Sequence, residues 1–364
     1  MSPAAARAFH SARSSSLHFL TVSDIRYIQV CSDRCKAGRC PPNGGTLNAV
    51  ETLCAKKRSS TVSTTKALKS LRSEIPVSSR EATSAWFQMF KKFGSSPSPA
   101  AFLELFHPNV VVVDSGLRLS YSGEKVELSI SKLLAAMPDL KIEPVRHCAR
   151  NNSIFIETKS TGTLNGEKVS WGTCYGVTLT GHLASRFRIY ADHTDILKPL
   201  LKNAPVFPAY QEVWDEEMVG THAIPFGRPD AARFVDAYQA VWRNPSPMGF
   251  ANCYTPDGTI VNPGMPRPIT KPEIPGYYAW LLRRIPDLEM ALVDWAGDEN
   301  IAYAEWVGTG TLADAPFSTR VIDVFHFDDR GVYYGQAYFD TLKTIARLDP
   351  SVLKHREMLF VSAI

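Results

Sequence analysis

The 364-residue chain contains no apolar run that approaches the ~20 residues needed to cross a lipid bilayer, which argues against a membrane-embedded body. Cysteine is scarce as well, and four of the 7 cysteines fall in the N-terminal part, at positions 31, 35, 40 and 54. They form no C-x2-C pair and no histidine follows them closely, so a zinc site is disfavoured. The other three, Cys148, Cys174 and Cys253, share no common spacing that would indicate a disulfide framework.

Acidic residues are rare at the N-terminus, where none precedes Asp24. Residues 1–80 hold 13 Lys/Arg against 4 Asp/Glu, a net charge of +9. Because the whole chain is at +4, the remaining residues are at −5. A mildly acidic body argues against a nucleic-acid-binding surface on the folded part.

The basic N-terminal extension is rich in Ser and Ala and includes Arg7 and Arg13, a composition typical of a transit peptide. The stretch that follows it continues in a basic, low-hydrophobicity style that predicts disorder. Two interpretations remain open: import into an organelle, chloroplast or mitochondrion, or an untargeted extension on a cytoplasmic protein.

The rest of the chain repeats itself at a constant offset of 148 residues. The segment "MPDLKIEPV" at 137–145 matches "IPDLEMALV" at 285–293, and "TGTL" recurs at 161–164 and 309–312. "IYAD", which ends at Asp192, matches "AYFD", which ends at Asp340. A constant offset over this length indicates a duplicated domain.

Each repeat begins with amphipathic helical patterns and continues with alternating apolar patterns separated by turn signals. This order predicts an α+β fold in which helices cover one face of a curved antiparallel sheet. The predicted organisation is an N-terminal extension, a first cone-shaped domain, a linker, a second cone-shaped domain and a C-terminal tail, at residues 1–79, 80–196, 197–228, 229–348 and 349–364.

The PDL exit, the "TGTL" strand and the closing "AYFD" resemble the nuclear-transport-factor-2-like superfamily, within it the SnoaL-like and ketosteroid-isomerase-like group. The resemblance covers both repeats and implies two tandem cone domains, each with an apolar pocket. Single cones of this kind commonly pair through the exposed sheet face. The implied arrangement is therefore a monomer whose two repeats form an intramolecular pseudo-dimer.

Ketosteroid isomerases use an Asp base opposite an oxyanion hole made by a Tyr and a protonated Asp. In the second repeat the resemblance places Tyr238 and Asp323 at the oxyanion positions, but Asn262 at the position of the base. An amide cannot remove a proton from carbon, so Asn262 is expected to orient a ligand. Asp323 shares its strand face with apolar residues, and burial there is expected to raise its pKa.

The first repeat has the complementary set. Asp114 stands at the base position, whereas Phe90 and Tyr175 occupy the oxyanion positions. Phe90 could line the pocket but cannot donate, so Tyr175 is the candidate donor. Asp114 also ends a strand at a turn, where an aspartate commonly has a purely local structural role.

Other activities of the superfamily fit less well. The positions that match the Arg of limonene-epoxide hydrolases carry Thr158 and Trp306, which argues against that chemistry. Scytalone-dehydratase-like chemistry needs a His together with acidic and Tyr groups, and strand alternation directs His326 to the face opposite Asp323, which weakens it as a candidate. SnoaL-type cyclases use a His–Asp pair, and neither repeat offers both members at clear positions. The recurring Asp192 and Asp340 are expected to cap whatever follows the last strand.

Two functional hypotheses follow. The first is a cofactor-independent and metal-independent isomerase or cyclase that acts on an apolar carbonyl compound, with Asp114 as base. The second is a non-catalytic ligand-binding or scaffolding protein. The face to which the recurring Glu157 and Glu305 point stays open.

Overall fold

The computed structural model describes residues 79–115, 119–200, 230–265, 267–312 and 314–342, together with Leu359. The possible transit peptide, the N-terminal cysteines, most of the linker and nearly all of the C-terminal tail lie outside these residues. The predicted domain boundaries therefore stay predictions. The described residues belong to one compact unit. Among the described residues, no helix is long and apolar enough to cross a lipid bilayer.

Among its described residues, the first repeat contains four α-helices, six strands and a short 3-10 helix (Lys198–Leu200). In chain order they are α1 (Ser79–Ser95), α2 (Pro99–Leu103), β1 (Phe106–Asp114), β2 (Leu119–Tyr121), α3 (Glu124–Ala136), β3 (Lys141–Arg150), β4 (Ser153–Leu164), β5 (Glu167–Thr180), β6 (Leu183–Ala191) and α4 (His193–Leu197).

The second repeat follows the same order. It comprises α5 (Ala231–Arg243), α6 (Pro247–Asn252), β7 (Tyr254–Val261), β8 (Ile269–Thr270), a 3-10 turn (Lys271–Glu273), α7 (Ile274–Arg284), β9 (Glu289–Gly297), β10 (Ile301–Leu312), β11 (Ala315–Asp328) and β12 (Gly331–Tyr338).

The two sheets have identical topology, in the orders β2-β1-β6-β5-β4-β3 and β8-β7-β12-β11-β10-β9. The four long strands of each repeat form the predicted antiparallel meander, whereas β1 pairs with β6, and β7 with β12, in parallel. The predicted fold class, two α+β cones in tandem, is confirmed.

The repeated PDL and TGTL motifs bind each other. In the first repeat the Asp139 carboxylate accepts hydrogen bonds from the backbone N–H of Thr163 at 2.8 Å and from its hydroxyl at 2.7 Å. Asp287 binds Thr311 in the same way, at 2.7 and 2.8 Å. In each repeat the carboxylate thereby ties the segment that follows α3 or α7 to the C-terminal end of β4 or β10.

The inner face of each sheet packs on its own helices and forms a separate aromatic core. In the first repeat Trp86 stacks on Phe90 at a ring-centroid distance of 5.4 Å, and its indole N–H donates to the Leu105 carbonyl at 2.8 Å. In the second repeat Phe250 stacks on Tyr278 at 3.7 Å.

The outer faces of the two sheets pack against each other around a third buried cluster. Its members come from both repeats: Cys148, Phe155, Cys174, Tyr190, Ala296, Ile301, Tyr303, Ile322, Val324 and Tyr338. Phe155 and Tyr303, which are equivalent positions of the two repeats, stack across the contact at 5.9 Å. The expected intramolecular pseudo-dimer is thus the arrangement seen in the structure.

Glu157 and Glu305 are buried in this inter-repeat contact, 5% and 0% exposed. Each accepts a hydrogen bond from the closing tyrosine of the other repeat: Tyr338 donates to Glu157 at 2.8 Å, and Tyr190 donates to Glu305. The recurrence of both residues in sequence therefore reflects the contact between the repeats and not the mouth of either pocket.

Candidate active site in the first repeat

The cone of the first repeat encloses an apolar cavity of about 90 Å³. Aromatic and aliphatic side chains from α1, α3 and the sheet make most of its wall. Its polar groups are Asp114, Tyr121, Ser129, Ser160, Thr173, Tyr175 and His193. An apolar wall with a few convergent polar groups is typical of a small-molecule site, but the volume is below the ~300–1,000 Å³ usual for such pockets.

A buried histidine is held between two carboxylates at the wall of this cavity. His193 Nε2 lies 3.2 Å from Asp114 Oδ2, and His193 Nδ1 lies 2.5 Å from Asp340 Oδ2. All three side chains are at most 7% exposed. Asp114 and His193 line the cavity, and Asp340 stands behind the imidazole.

The strand order brings Asp114 and His193 together. β1 ends at Asp114, which is in parallel register with Ile189 of β6. The chain leaves β6 at Asp192, whose carboxylate caps α4 by accepting the Thr194 N–H at 3.0 Å, and His193 is the first residue of that helix. Parallel neighbours end at the same edge of a sheet, so both side chains arise there.

The third member of this cluster comes from the other repeat. Asp340 also accepts the backbone N–H of His193 at 3.3 Å. The reciprocal contact exists on the other side, where Asp192 accepts the N–H of Thr341 at 3.3 Å and its hydroxyl at 2.8 Å. Thr341 is the counterpart of His193, so the predicted caps also tie the repeats together.

The two carboxylates keep the imidazole charged. Burial by itself favours the neutral ring, but the charges and hydrogen bonds of Asp114 and Asp340 outweigh it and raise the pKa of His193 well above its usual 6.5. On the reciprocal side, burial and the neighbouring charge of Asp340 raise the pKa of Asp192 to about 6.

The same three residues offer donor atoms within 4.8 Å of one another, as a metal site would. Their geometry fits an acid–base relay better. A transition metal needs about 2 Å to each nitrogen or oxygen ligand. The 2.5 Å between His193 Nδ1 and Asp340 leaves no room for an ion between those atoms. Nε2 is likewise at hydrogen-bonding distance from Asp114.

Tyr175 supplies a hydroxyl on the sheet wall of the cavity. Its ring packs on Phe187 at 5.0 Å and meets the edge of Phe90 at 5.4 Å. Burial raises the pKa of Tyr175, against smaller effects of hydrogen bonds with Thr173 and Thr158, so the hydroxyl stays protonated. Phe90 is part of the wall of the cavity.

The comparison with known families supports the fold. Residues 209–333 match the model of the family described as the SnoaL-like domain. The second repeat is a SnoaL-like domain. No curated protein sequence matches the chain.

Among solved structures, AclR from Streptomyces galilaeus is similar at 17% identity over 35% of this chain and 86% of AclR, with a TM-score of 0.32. A protein with a ketosteroid isomerase-like fold from Catenulispora acidiphila covers 30% of this chain and 88% of its own, at 18% identity and a TM-score of 0.29. The similarity to an LEH-like epoxide hydrolase from M. tuberculosis covers 34% of this chain and 91% of that protein, at 15% identity and a TM-score of 0.29. Similarity at this level does not specify an activity.

The interior of the SnoaL-like domain of the second repeat is more aromatic. The hydroxyls of Tyr238 and Tyr278 lie 2.9 Å apart, and both rings are buried. Burial raises the pKa of Asp323 to about 7, and the neighbouring Trp306 indole opposes part of the rise. Asn262, at the base position, is buried after the end of β7. The ligand-orienting role expected of Asn262 stays a prediction.

The sequence interpretation missed His193 and the role of Asp340. The relay takes Asp114 and His193 from the first repeat and Asp340 from the second. The counterpart of His193 is Thr341, so comparison of the repeats gave the histidine no weight. The available signal was the residue directly after the recurring aspartate, which is a histidine in "ADHTD" of the first repeat and a threonine in the second.

Proposed function

We propose that the first repeat is a cofactor-independent isomerase or cyclase that moves a proton at carbon next to a carbonyl group. The observation that supports the proposal is the buried His193, which contacts Asp114 on the cavity side and Asp340 on the far side. Such a relay positions a base and fixes its charge without help from solvent.

In this mechanism the Asp114 carboxylate takes the proton from the α-carbon, and the C–H electron pair moves into an enolate. The enolate oxygen accepts a hydrogen bond from the Tyr175 hydroxyl, which is neutral because its pKa is raised. Asp114 then returns the proton to another carbon. In a cyclase, the enolate carbon instead attacks a second carbonyl within the same substrate, and Asp114 returns the proton to the alkoxide oxygen that this attack forms. The His193 imidazolium remains beside Asp114 and limits the change in local charge during transfer.

The cavity limits what it can enclose. Its volume of about 90 Å³ is below the ~150 Å³ of a cavity known to hold benzene. The apolar wall therefore fits the carbonyl-bearing end of an apolar compound, with the remainder of a larger substrate outside the described cavity.

Exchange of α-hydrogens tests the proposal without knowledge of the natural substrate. A small ketone that the cavity can enclose, acetone, is incubated with the full chain in D₂O, and deuterium incorporation is followed by NMR. Asp114→Asn should abolish the enzyme-dependent exchange. The matched control is Asp323→Asn, the same substitution in the other cone, which should leave exchange unchanged. Loss of exchange in both variants, or in neither, would remove Asp114 from the mechanism.

A second candidate function is ligand binding without turnover, favoured by the small cavity and by Asn262 and Thr341 at the relay positions of the other cone. Saturable ketone binding without any exchange by the wild-type chain would establish it.

Under either function we infer a monomer, because each sheet already covers the pairing face of the other. Light scattering should give a mass near 40.3 kDa.

A further inference from the structure

A second concave site lies at the contact between the two repeats. It is a cleft of about 370 Å³, within the size range of small-molecule sites. The repeats contribute to it about equally. Its charged and hydrogen-bonding residues are Arg146, Glu157, Thr158, Lys159, His326, Tyr333, Tyr334, Gln336 and Tyr338.

The equivalent position on the other half of the pseudo-dimer is occupied by arginines. There, Arg188 Nε lies 2.8 Å from the buried Glu305, and Arg320 Nη1 lies 3.8 Å from it. Arg188 also lies 3.6 Å from Asp294 and is only 3% exposed. The side chains of Arg188 and Arg320 therefore occupy the space beside Glu305.

The 148-residue offset shows what opened the cleft beside Glu157. Gln336 stands at the position of Arg188, and Gly172 at the position of Arg320. A Cβ added at Gly172 would approach the Tyr338 ring only to 3.4 Å, an ordinary van der Waals contact. The backbone would therefore accept a side chain there, and the cleft results from the loss of side chains.

The cation of this half comes from the edge strand β3. Arg146, 49% exposed on its side chain, stands at the position of Asp294 and places Nη1 4.0 Å from Glu157 Oε2 and 2.7 Å from His326 Nε2. Among the described residues, the Nε–H and Nη2–H groups of Arg146 donate no hydrogen bond. The Glu157 carboxylate is already held by Tyr303 at 3.0 Å and Tyr338 at 2.8 Å.

The charges at the cleft therefore favour an anion. Arg146 and the exposed Lys159 are cationic, and Glu157 is the single acidic residue of the lining. Burial, reinforced by Arg146, lowers the pKa of His326 to about 4, so that its ring is a neutral neighbour at physiological pH. Tyr333, 40% exposed, offers an aromatic surface at the rim.

We propose that this inter-repeat cleft is a second binding site, separate from the cone cavity, for a small aromatic carboxylate. The Arg146 guanidinium would bind the carboxylate through the donors that face away from His326, Lys159 would add charge, and the ring of the ligand would pack on Tyr333. A planar guanidinium suits a carboxylate because both present paired groups at matching spacing. The proposal does not depend on the function of the cone cavity.

The test uses the full chain and three probes of the same shape: benzoate, benzamidine and benzyl alcohol. Isothermal titration calorimetry should detect saturable binding of benzoate, with benzamidine and benzyl alcohol weaker. Arg146→Gln should weaken benzoate binding roughly tenfold or more, because a charge-assisted hydrogen bond is lost. Gly172→Arg, which restores the residue type of the other half, should do the same by filling the cleft.

Two controls separate this site from its surroundings. Arg243→Gln removes an exposed arginine of α5 and should leave benzoate binding unchanged. Asp114→Asn alters the cone cavity and should also leave benzoate binding unchanged. Tighter binding of benzamidine than of benzoate, an unaltered affinity in Gly172→Arg, or loss of binding in Asp114→Asn would each overturn the proposal.

Discussion

The relay makes a strong prediction for Asp340, a residue of the second repeat that should control chemistry in the first. Asp340 does not line the cavity, and its side chain is 0% exposed behind the imidazole. Asp340→Asn should therefore leave substrate affinity nearly unchanged while it lowers turnover. We expect kcat to fall on the order of 10²- to 10⁴-fold, the range associated with a positioned acid–base group.

The physical reason is that the carboxylate fixes both the charge and the orientation of His193. An amide keeps the shape but not the negative charge, so the pKa of His193 should fall from its raised value. In the wild-type chain the imidazolium should persist well above pH 6.5, whereas in the variant the ring should lose its proton at lower pH. Histidine NMR titration measures this directly, beside the exchange assay.

Asp192→Asn is the matched control, because Asp192 is the counterpart of Asp340 and holds Thr341 instead of a histidine. Asparagine caps a helix about as well as aspartate, so α4 should remain in place. Exchange should be little changed in this variant. Wild-type turnover in Asp340→Asn, or an equal loss in both variants, would refute the relay.

Two further predictions concern stability. Asp323 has a pKa raised from 3.8 to about 7, so its contribution to stability is largest below pH 3.8 and is lost as pH rises to about 7. Asp323→Asn should therefore be more stable than wild type above pH 7 in urea unfolding, with a smaller difference near pH 4; a pH-independent difference would contradict the assignment. Tyr338→Phe should cost about 1.5–3 kcal/mol, because it removes a hydrogen bond to the buried Glu157. Tyr333→Phe, at an exposed position, should change stability by less than about 0.5 kcal/mol.

Much of the fold could be predicted because the sequence contains two copies of the same domain. The recurring PDL and TGTL segments mark a contact that each repeat makes within itself, between Asp139 and Thr163 and between Asp287 and Thr311. Regular alternation also predicted the long strands of each repeat, since one face of each strand must be apolar.

The relay and the inter-repeat charges were harder to predict because they depend on which faces meet. No local pattern distinguishes a glutamate at the mouth of a pocket from one between two sheets, as Glu157 and Glu305 show. Asp340 is recognisable as a cap from its position after a strand. Its contact with His193 exists only once the two repeats are packed together.

The reciprocal contacts of Asp192 and Asp340 have a consequence for how such a protein can evolve. In a symmetric dimer of identical single cones, every substitution appears at both equivalent places. A histidine at the start of α4 would then be present twice, and so would its partner carboxylate. Covalent joining of the two copies lifts this restriction. One half can keep histidine where the other has threonine, and one flank can close over arginines while the other opens to solvent.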